Sequence, residues 1–275
     1  MNLYKLTGER INSITDFISY YERVYYYSCS YIAEKRIESI LKNGIQGKKD
    51  AFDILAWKLD GIDVNNTNYK KEIQYRINKS NKNNESNWKY SDDDNGFCQG
   101  TYQGGKIDLS EYLMRFRSGS QRLADLKESA TDNGEKALVL LAENAPRGLG
   151  PVYMITLLHF LNQGKGEKKY PIYDKFAHTA LKVILNDETV ELGATFTDEE
   201  ITKDFPAKSD KEYADYLAYL GSIQKYASKI MSGKYQSYIN DIELFRNKTG
   251  LDYYKDRSAD RALWVYGHFF NAVKV

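Results

Sequence analysis

An all-α fold is what the sequence predicts, and three observations carry that prediction. Apolar residues recur at helical spacing along most of the chain. No series of alternating strands stands out. The four prolines all fall at helix edges, where a residue lacking an N–H does least harm.

Taken in order, residues 12–27 form a first helix with Ser13 or Thr15 as its cap. A second covers 30–43, with Ile32, Ile37, Ile40 and Leu41 near helical spacing and Gly44 as its stop. Residues 49–59 give a third, which buries Trp57 and ends at Gly61. Segment 85–107 is rich in Gly, Asn, Asp and Ser and reads as a long loop or small hairpin. Helices resume at 109–117, 120–130 and 134–144, then at 151–162 and from Asp174 to Leu185. Thr197 starts a short acidic helix, followed by helices near 209–232, 236–248 and 258–272. In the last of these Ser258 is the cap, Leu263, Trp264 and Phe269–Phe270 bury, and Asp260 and Arg261 pair with other helices.

Composition narrows the function classes. A chain of 275 residues is long enough for a real buried core. A formal net charge of +1 gives nucleic-acid binding no help from the total, so only a local basic face supports it. Two cysteines, Cys29 and Cys98, are too few for a disulfide scaffold, a four-cysteine zinc site or an iron–sulfur cluster. The N-terminal MNLYKLTGERINS lacks the apolar core of a signal peptide, and the longest apolar stretch, Val152–Leu161, is too short to span a bilayer. These features together predict a soluble cytoplasmic protein with no cofactor and no metal.

The chemistry concentrates in RGLGPVYMITLLHF, residues 147–160. Gly148-Leu149-Gly150 makes a turn open to positive φ, and Pro151 suits the first helical position. Such a turn exposes backbone N–H groups at the positive end of a helix, which is an anion site suited to phosphate. It can equally be an inert connection between packed helices, with Leu149 holding them together. A short loop later comes YPIYDKF, in which Asp174 opens the next helix. Asp before an apolar helix is an ordinary N-cap, and a capping carboxylate can still offer its second oxygen to a substrate.

The order is helix, Gly-h-Gly hairpin, apolar helix, loop, Pro-h-x-Asp and helix. Over about residues 134–186 it resembles the helix-hairpin-helix DNA glycosylase superfamily. The resemblance implies two helical lobes with a cleft between them, within one globular unit spanning 1–275. The lobes would be 108–186, which holds the hairpin, and 1–107 with 187–275. It implies that the amides of Gly148, Leu149 and Gly150, with Val152 next in the same stretch, hold a phosphate of double-stranded DNA; Arg147, where the family often has proline, either contacts a phosphate or is an exposed surface residue. It also implies that Asp174 faces the sugar of a flipped base. The chemistry is coherent. Breaking an N-glycosidic bond builds positive charge on the sugar, which a fixed carboxylate stabilises while orienting a water. The base must first leave the stack.

Departures from the family pattern matter. Where strand-cutting members carry a nucleophilic Lys after the hairpin, this chain has Val152, so the resemblance implies a monofunctional glycosylase. No cysteine cluster follows Asp174, which excludes the iron–sulfur subgroup.

Auxiliary candidates surround this pair. Lys165, Lys168 and Lys169 lie in the loop before Asp174, and Lys70, Lys71, Arg76, Lys79 and Lys82 crowd segment 69–84. Either set offers DNA a positive track or is simply solvated. Lys175 can reach a phosphate or sit in water as a first-turn residue. His178, four residues after Asp174, can reach the same site or serve as a buried structural histidine. SDDDNG, 91–96, is a turn: aligned as a calcium loop it puts Tyr102 where Glu is required. Trp88, Tyr90, Phe97 and Tyr102 provide either a stacking surface or loop anchors. Two alternatives remain beside the glycosylase expectation. One is a non-catalytic helix-hairpin-helix DNA-binding protein. The other is a helical interaction protein whose partner surface is the tyrosine-rich stretch 20–31.

Overall fold

A computed structural model describes residues 3–28, 31–47, 50, 54, 86–91, 97–102, 105–143, 145, 150–162, 169–186, 220–255 and 257–272. Helix dominates these residues. The chain divides into two compact units. One contains Met1–Ser28, Lys169–Ala207 and Ser228–Val275; the other contains Cys29–Lys168 and Lys208–Ala227.

The first unit opens with two short antiparallel strands, β1 (Leu3–Tyr4) and β2 (Arg10–Ile11), paired Leu3 with Ile11 and Tyr4 with Arg10. Gly8 turns the chain between them at φ 82°. Helix α1 (Ile14–Ser28) starts where the serine cap was expected. The Ser13 hydroxyl accepts from the Asp16 N–H at 3.1 Å and donates to Asp16 Oδ2 at 2.8 Å. Tyr21 ties this helix to β1 by donating to the Tyr4 carbonyl at 2.6 Å, and burial pushes its hydroxyl far above the ordinary tyrosine range.

Among the described residues that unit also holds α7 (Lys175–Asn186), α9 (Lys234–Thr249) and α10 (Ser258–Ala272). Helix α10 packs on both α1 and α7. Against α1 it places Tyr266 edge-on to Phe17 at 5.0 Å and Trp264 edge-on to Tyr25 at 5.6 Å. The polar expectations for α10 resolve into one cluster. Arg261 Nη1 and the Ser258 hydroxyl both donate to Glu22 Oε1 of α1, at 2.9 and 2.7 Å, while Asp260 pairs with Arg257 at 2.9 Å. Against α7 the approach is closer still. A Cβ on Gly267 would stand 1.9 Å from the Phe176 carbonyl oxygen, so only glycine permits it.

In the second unit, α2 (Tyr31–Asn43) stops at Gly44, whose φ is 86°. There the chain passes so close to Ser118 that a Cβ on Gly44 would lie 2.7 Å from Ser118 Cβ. Segment 85–107 is neither a loop nor a simple hairpin. It forms a three-stranded antiparallel meander, β3 (Ser86–Ser91), β4 (Phe97–Tyr102) and β5 (Gly105–Asp108). Its registers put Trp88 opposite Gly100 and Gly100 opposite Ile107. The polar, glycine-rich composition hid the period-two pattern, because cross-strand pairing outweighs the weak propensities of Ser, Asn and Gly.

Short α3 (Leu109–Met114) then leads to three packed helices: α4 (Gln121–Asp132), α5 (Gly134–Ala142) and α6 (Pro151–Asn162). Ser120 caps α4 through the Leu123 N–H at 3.2 Å, and Asn133 caps α5 through the Glu135 N–H at 2.9 Å. Leu123, Leu126, Leu138, Leu141, Met154, Ile155 and Leu158 bury among them. The C-terminal carbonyls of α5 are tied down from outside the helix: Tyr112 donates to Leu141, Arg115 to Glu143 and Arg122 to Leu140. Helix α8 (Leu220–Ser232) begins in this unit and ends in the other. The expected helix 49–59, segment 69–84 and the acidic helix from Thr197 lie outside the described residues, apart from Asp50 and Ile54.

Candidate functional site

Gly150 and Asp174 belong to different compact units, so each end of the sequence motif is built by its own neighbours. Arg147, Gly148, Leu149, Lys165 and Lys168 lie outside the described residues. Gly150 is buried directly before α6, and its carbonyl accepts from the N–H groups of Tyr153 at 3.0 Å and Met154 at 3.2 Å. Pro151 fills the first helical position, where its missing N–H leaves nothing unsatisfied. Val152 is half-buried, and its carbonyl accepts from the Thr156 hydroxyl at 2.8 Å. No side chain in the first turn of α6 is charged, so what the helix itself offers an anion there is backbone.

The stretch before Asp174 shows what YPIYDK does. Lys169 is exposed, but Tyr170, Pro171, Ile172 and Tyr173 are all buried. Helix α9 fastens them: Tyr235 donates to the Pro171 carbonyl at 2.8 Å, and the Tyr173 ring meets Tyr238 edge-on at 5.3 Å. Tyr238 in turn shares a hydrogen bond with Tyr253 at 3.0 Å. Burial drives the hydroxyls of Tyr235, Tyr238 and Tyr253 well above the usual tyrosine range, so all three stay protonated and serve as hydrogen-bonding anchors.

Those anchors deliver Asp174 half-buried at the start of α7. Its Oδ1 accepts from the Phe176 N–H at 2.8 Å, and its carbonyl accepts from the His178 N–H at 3.0 Å. Among the described residues Oδ2 has no hydrogen-bond or ion-pair partner. The side chain is therefore an N-cap with one oxygen committed to the helix and one to spare.

His178 is 2% exposed and turned into the core. Its Nε2 lies 3.0 Å from Asp241 Oδ2 on α9, and its Nδ1 lies 3.4 Å from the Tyr173 hydroxyl. A carboxylate only accepts, so Nε2 carries the proton and donates. Burial lowers the affinity of the ring for a second proton more than the Asp241 hydrogen bond raises it, and Lys182 and Lys234 push the same way as burial. His178 is consequently neutral at neutral pH and braces Tyr173, the residue before Asp174.

Lys175 is half-buried, with its ammonium 5.0 Å from the Phe176 ring centre. A group without a sequence signal joins it here. His268 of α10 lies on Phe176 with ring centres 3.5 Å apart and a 32° tilt, and on Trp264 at 3.9 Å and 48°. The ring is half-buried, and burial lowers its proton affinity despite the nearby Asp174 carboxylate. Asp241, Tyr238, Trp264 and His268 were not legible as site neighbours of Asp174. Only the spacing of Trp264 and His268, one helical turn apart, hinted that those two rings meet.

The described residues contain no cluster of His, Cys, Asp or Glu suited to a metal ion, and none of their helices is long and apolar enough to cross a membrane. The chain matches no protein-family model, no curated protein and no solved structure. What it does is therefore argued from its own residues.

Proposed function

We propose that the protein binds double-stranded DNA and excises a base by monofunctional hydrolysis of its N-glycosidic bond, with Asp174 as the catalytic carboxylate. The observation that carries this reading is the divided role of Asp174, whose Oδ1 caps α7 while Oδ2 has no partner among the described residues. A cap holds the carboxylate in one rotamer before substrate arrives, which is the preorganisation that charge stabilisation needs.

The steps follow from that position. The bond from the sugar carbon to the base breaks, and the electron pair leaves with the base. Positive charge spreads over the sugar carbon and ring oxygen, and the carboxylate stabilises it. A water attacks the same carbon and gives its proton to Asp174, and that proton passes on to the departed base, leaving a free base, an abasic sugar and the carboxylate restored. No amine attacks the sugar, because Val152 stands where a lysine nucleophile would be required.

Residues 147–150 and the first amides of α6 supply the DNA phosphate contact in this reading. Support comes from the backbone-only character of that helix start, which suits a ligand held without sequence preference. Exposed Lys169 and half-buried Lys175 add positive charge beside Asp174.

The test is incubation of the full chain with duplexes carrying a panel of altered and mismatched bases, followed by alkali to cut at abasic sites. Wild type releases a base from at least one duplex and Asp174→Asn does not. Equal release by both removes Asp174 from the mechanism. Salt-sensitive binding with no release from any duplex identifies a non-catalytic DNA-binding protein instead.

A further inference from the structure

The stack over Phe176 has a polar edge that the hydrolysis scheme leaves unused. His268 Nδ1 lies 2.9 Å from the Trp264 carbonyl, and a carbonyl oxygen can only accept. The proton of the neutral ring therefore sits on Nδ1, and Nε2 carries a lone pair. Among the described residues Nε2 has no hydrogen-bond partner. The ring is also close enough to Asp174 and Lys175 for both charges to act on it. Asp174 Oδ2, likewise without a partner, is a second acceptor in the same neighbourhood.

Geometry fixes this arrangement firmly. Phe176 and Trp264 both contact the imidazole, with ring centres at 3.5 and 3.9 Å, and Trp264 meets Tyr25 edge-on in turn. Glycine at 267 lets α10 approach α7 closely enough for the stack to form. A ring held in one tautomer by its own helix and in contact with two aromatics has little freedom to change what it offers. The three aromatic members of the stack are all half-buried rather than sealed in the core.

We propose that His268 selects the substrate at the Asp174 site by accepting, through Nε2, a hydrogen bond from an N–H group of the bound nucleobase. This rests on the base-excision reading and adds a substrate class to it: bases that carry a ring N–H or amino donor, with the flat ring packed against the aromatic stack. Bases whose nitrogens all lack hydrogen leave Nε2 and Asp174 Oδ2 unpaired against a desolvated ring, which disfavours them.

Two measurements on the full chain test this. Long-range proton–nitrogen correlation spectra report the tautomer directly, and His268 is expected to carry its proton on Nδ1. Titration of xanthine and uracil, with caffeine and 1,3-dimethyluracil as fully N-methylated counterparts, reports selection. The N–H-bearing bases are expected to shift the His268 Nε2 resonance and the methylated ones are not. His268→Phe keeps the stack without the acceptor and is expected to weaken xanthine or uracil binding about fivefold to tenfold, the worth of one neutral hydrogen bond. His268→Gln keeps an acceptor oxygen and is expected to retain most of the binding, which decides the matter if the Phe variant fails to fold.

A proton on Nε2, undiminished binding in His268→Phe, equal binding of methylated bases, or no binding of any base overturns the proposal. Failure of the excision reading looks different. Wild type then releases no base from any duplex, or Asp174→Asn releases it equally, whereas failure of this inference leaves Asp174 essential and His268 dispensable.

Discussion

Helices α6 and α7 begin in opposite ways. Helix α6 opens on Gly150 and Pro151 with no charged side chain in its first turn, and its body is apolar on nearly every side. Helix α7 opens on a capping aspartate, with a lysine and a phenylalanine next and a buried histidine one turn on. The first presents backbone; the second presents side chains. Backbone amides grip a phosphate without regard to the base, whereas chemistry at a sugar needs a specific functional group. Under the proposed base-excision function, the difference divides the labour between positioning and reaction.

The largest expected break comes from Gly267→Ala. Its methyl would collide with the Phe176 carbonyl, so α10 must move off α7. A loss of about 3 kcal/mol in unfolding free energy is expected, read as a lowered chemical-denaturation midpoint. It should also dismantle the start of α7, while α6, in the other unit, keeps its amide-exchange protection.

Asp174→Asn separates capping from chemistry. Asn caps a helix about as well as Asp, so thermal stability should change by less than about 0.5 kcal/mol. Base release should fall by about a hundredfold or more, since the carboxylate's charge is gone. Asp174→Ala loses release equally and about 1 kcal/mol of stability besides. Were Asn and Ala to behave alike in both assays, the divided role of the two oxygens would be wrong.

At α6 the expected effect is smaller and of another kind. Gly150→Glu puts a negative charge at the helix start and should weaken binding to all duplexes about tenfold, with no change in which base is released. A melting curve close to wild type is the control for folding. A changed base preference would mean that α6 reads more than phosphate.

Acid gives the mildest break, and the sign is set by burial. His178 and His268 both take up protons less readily in the folded chain than an ordinary histidine. The unfolded chain then binds more protons below about pH 6.5, so stability is complete above that pH and declines as pH falls beneath it. His178→Gln should flatten this decline in a series of melting temperatures between neutral and acidic pH. An unchanged slope would assign the acid sensitivity to other groups. At the alkaline end Tyr266, pushed up to about 12 by burial, loses stability only as pH rises past about 10, the unfolded tyrosine range.

Much of the local structure was legible because its causes are local. Ser13 before α1, Gly44 after α2, Pro151 at the head of α6 and Asp174 before α7 all act through hydrogen bonds or dihedral limits within one turn of themselves. The meander at β3–β5 was read as a loop or hairpin because its strands owe their existence to pairing, which no single strand's composition announces. Gly267 was a missed hint, since glycine inside a helix costs stability and usually marks a close backbone approach.

The sequence alone determined that the chain is mainly helical, where most described helices begin and end, and that Asp174 heads a helix. These follow from spacing and capping within a few residues. Only the tertiary structure decided what surrounds that aspartate. Asp241, Tyr238, Trp264 and His268 come from α9 and α10, far along the chain. They gather at α7 because buried faces must find each other and because a glycine lets two backbones touch. Pairing of that kind depends on the shapes of whole surfaces, and no short stretch of residues encodes it.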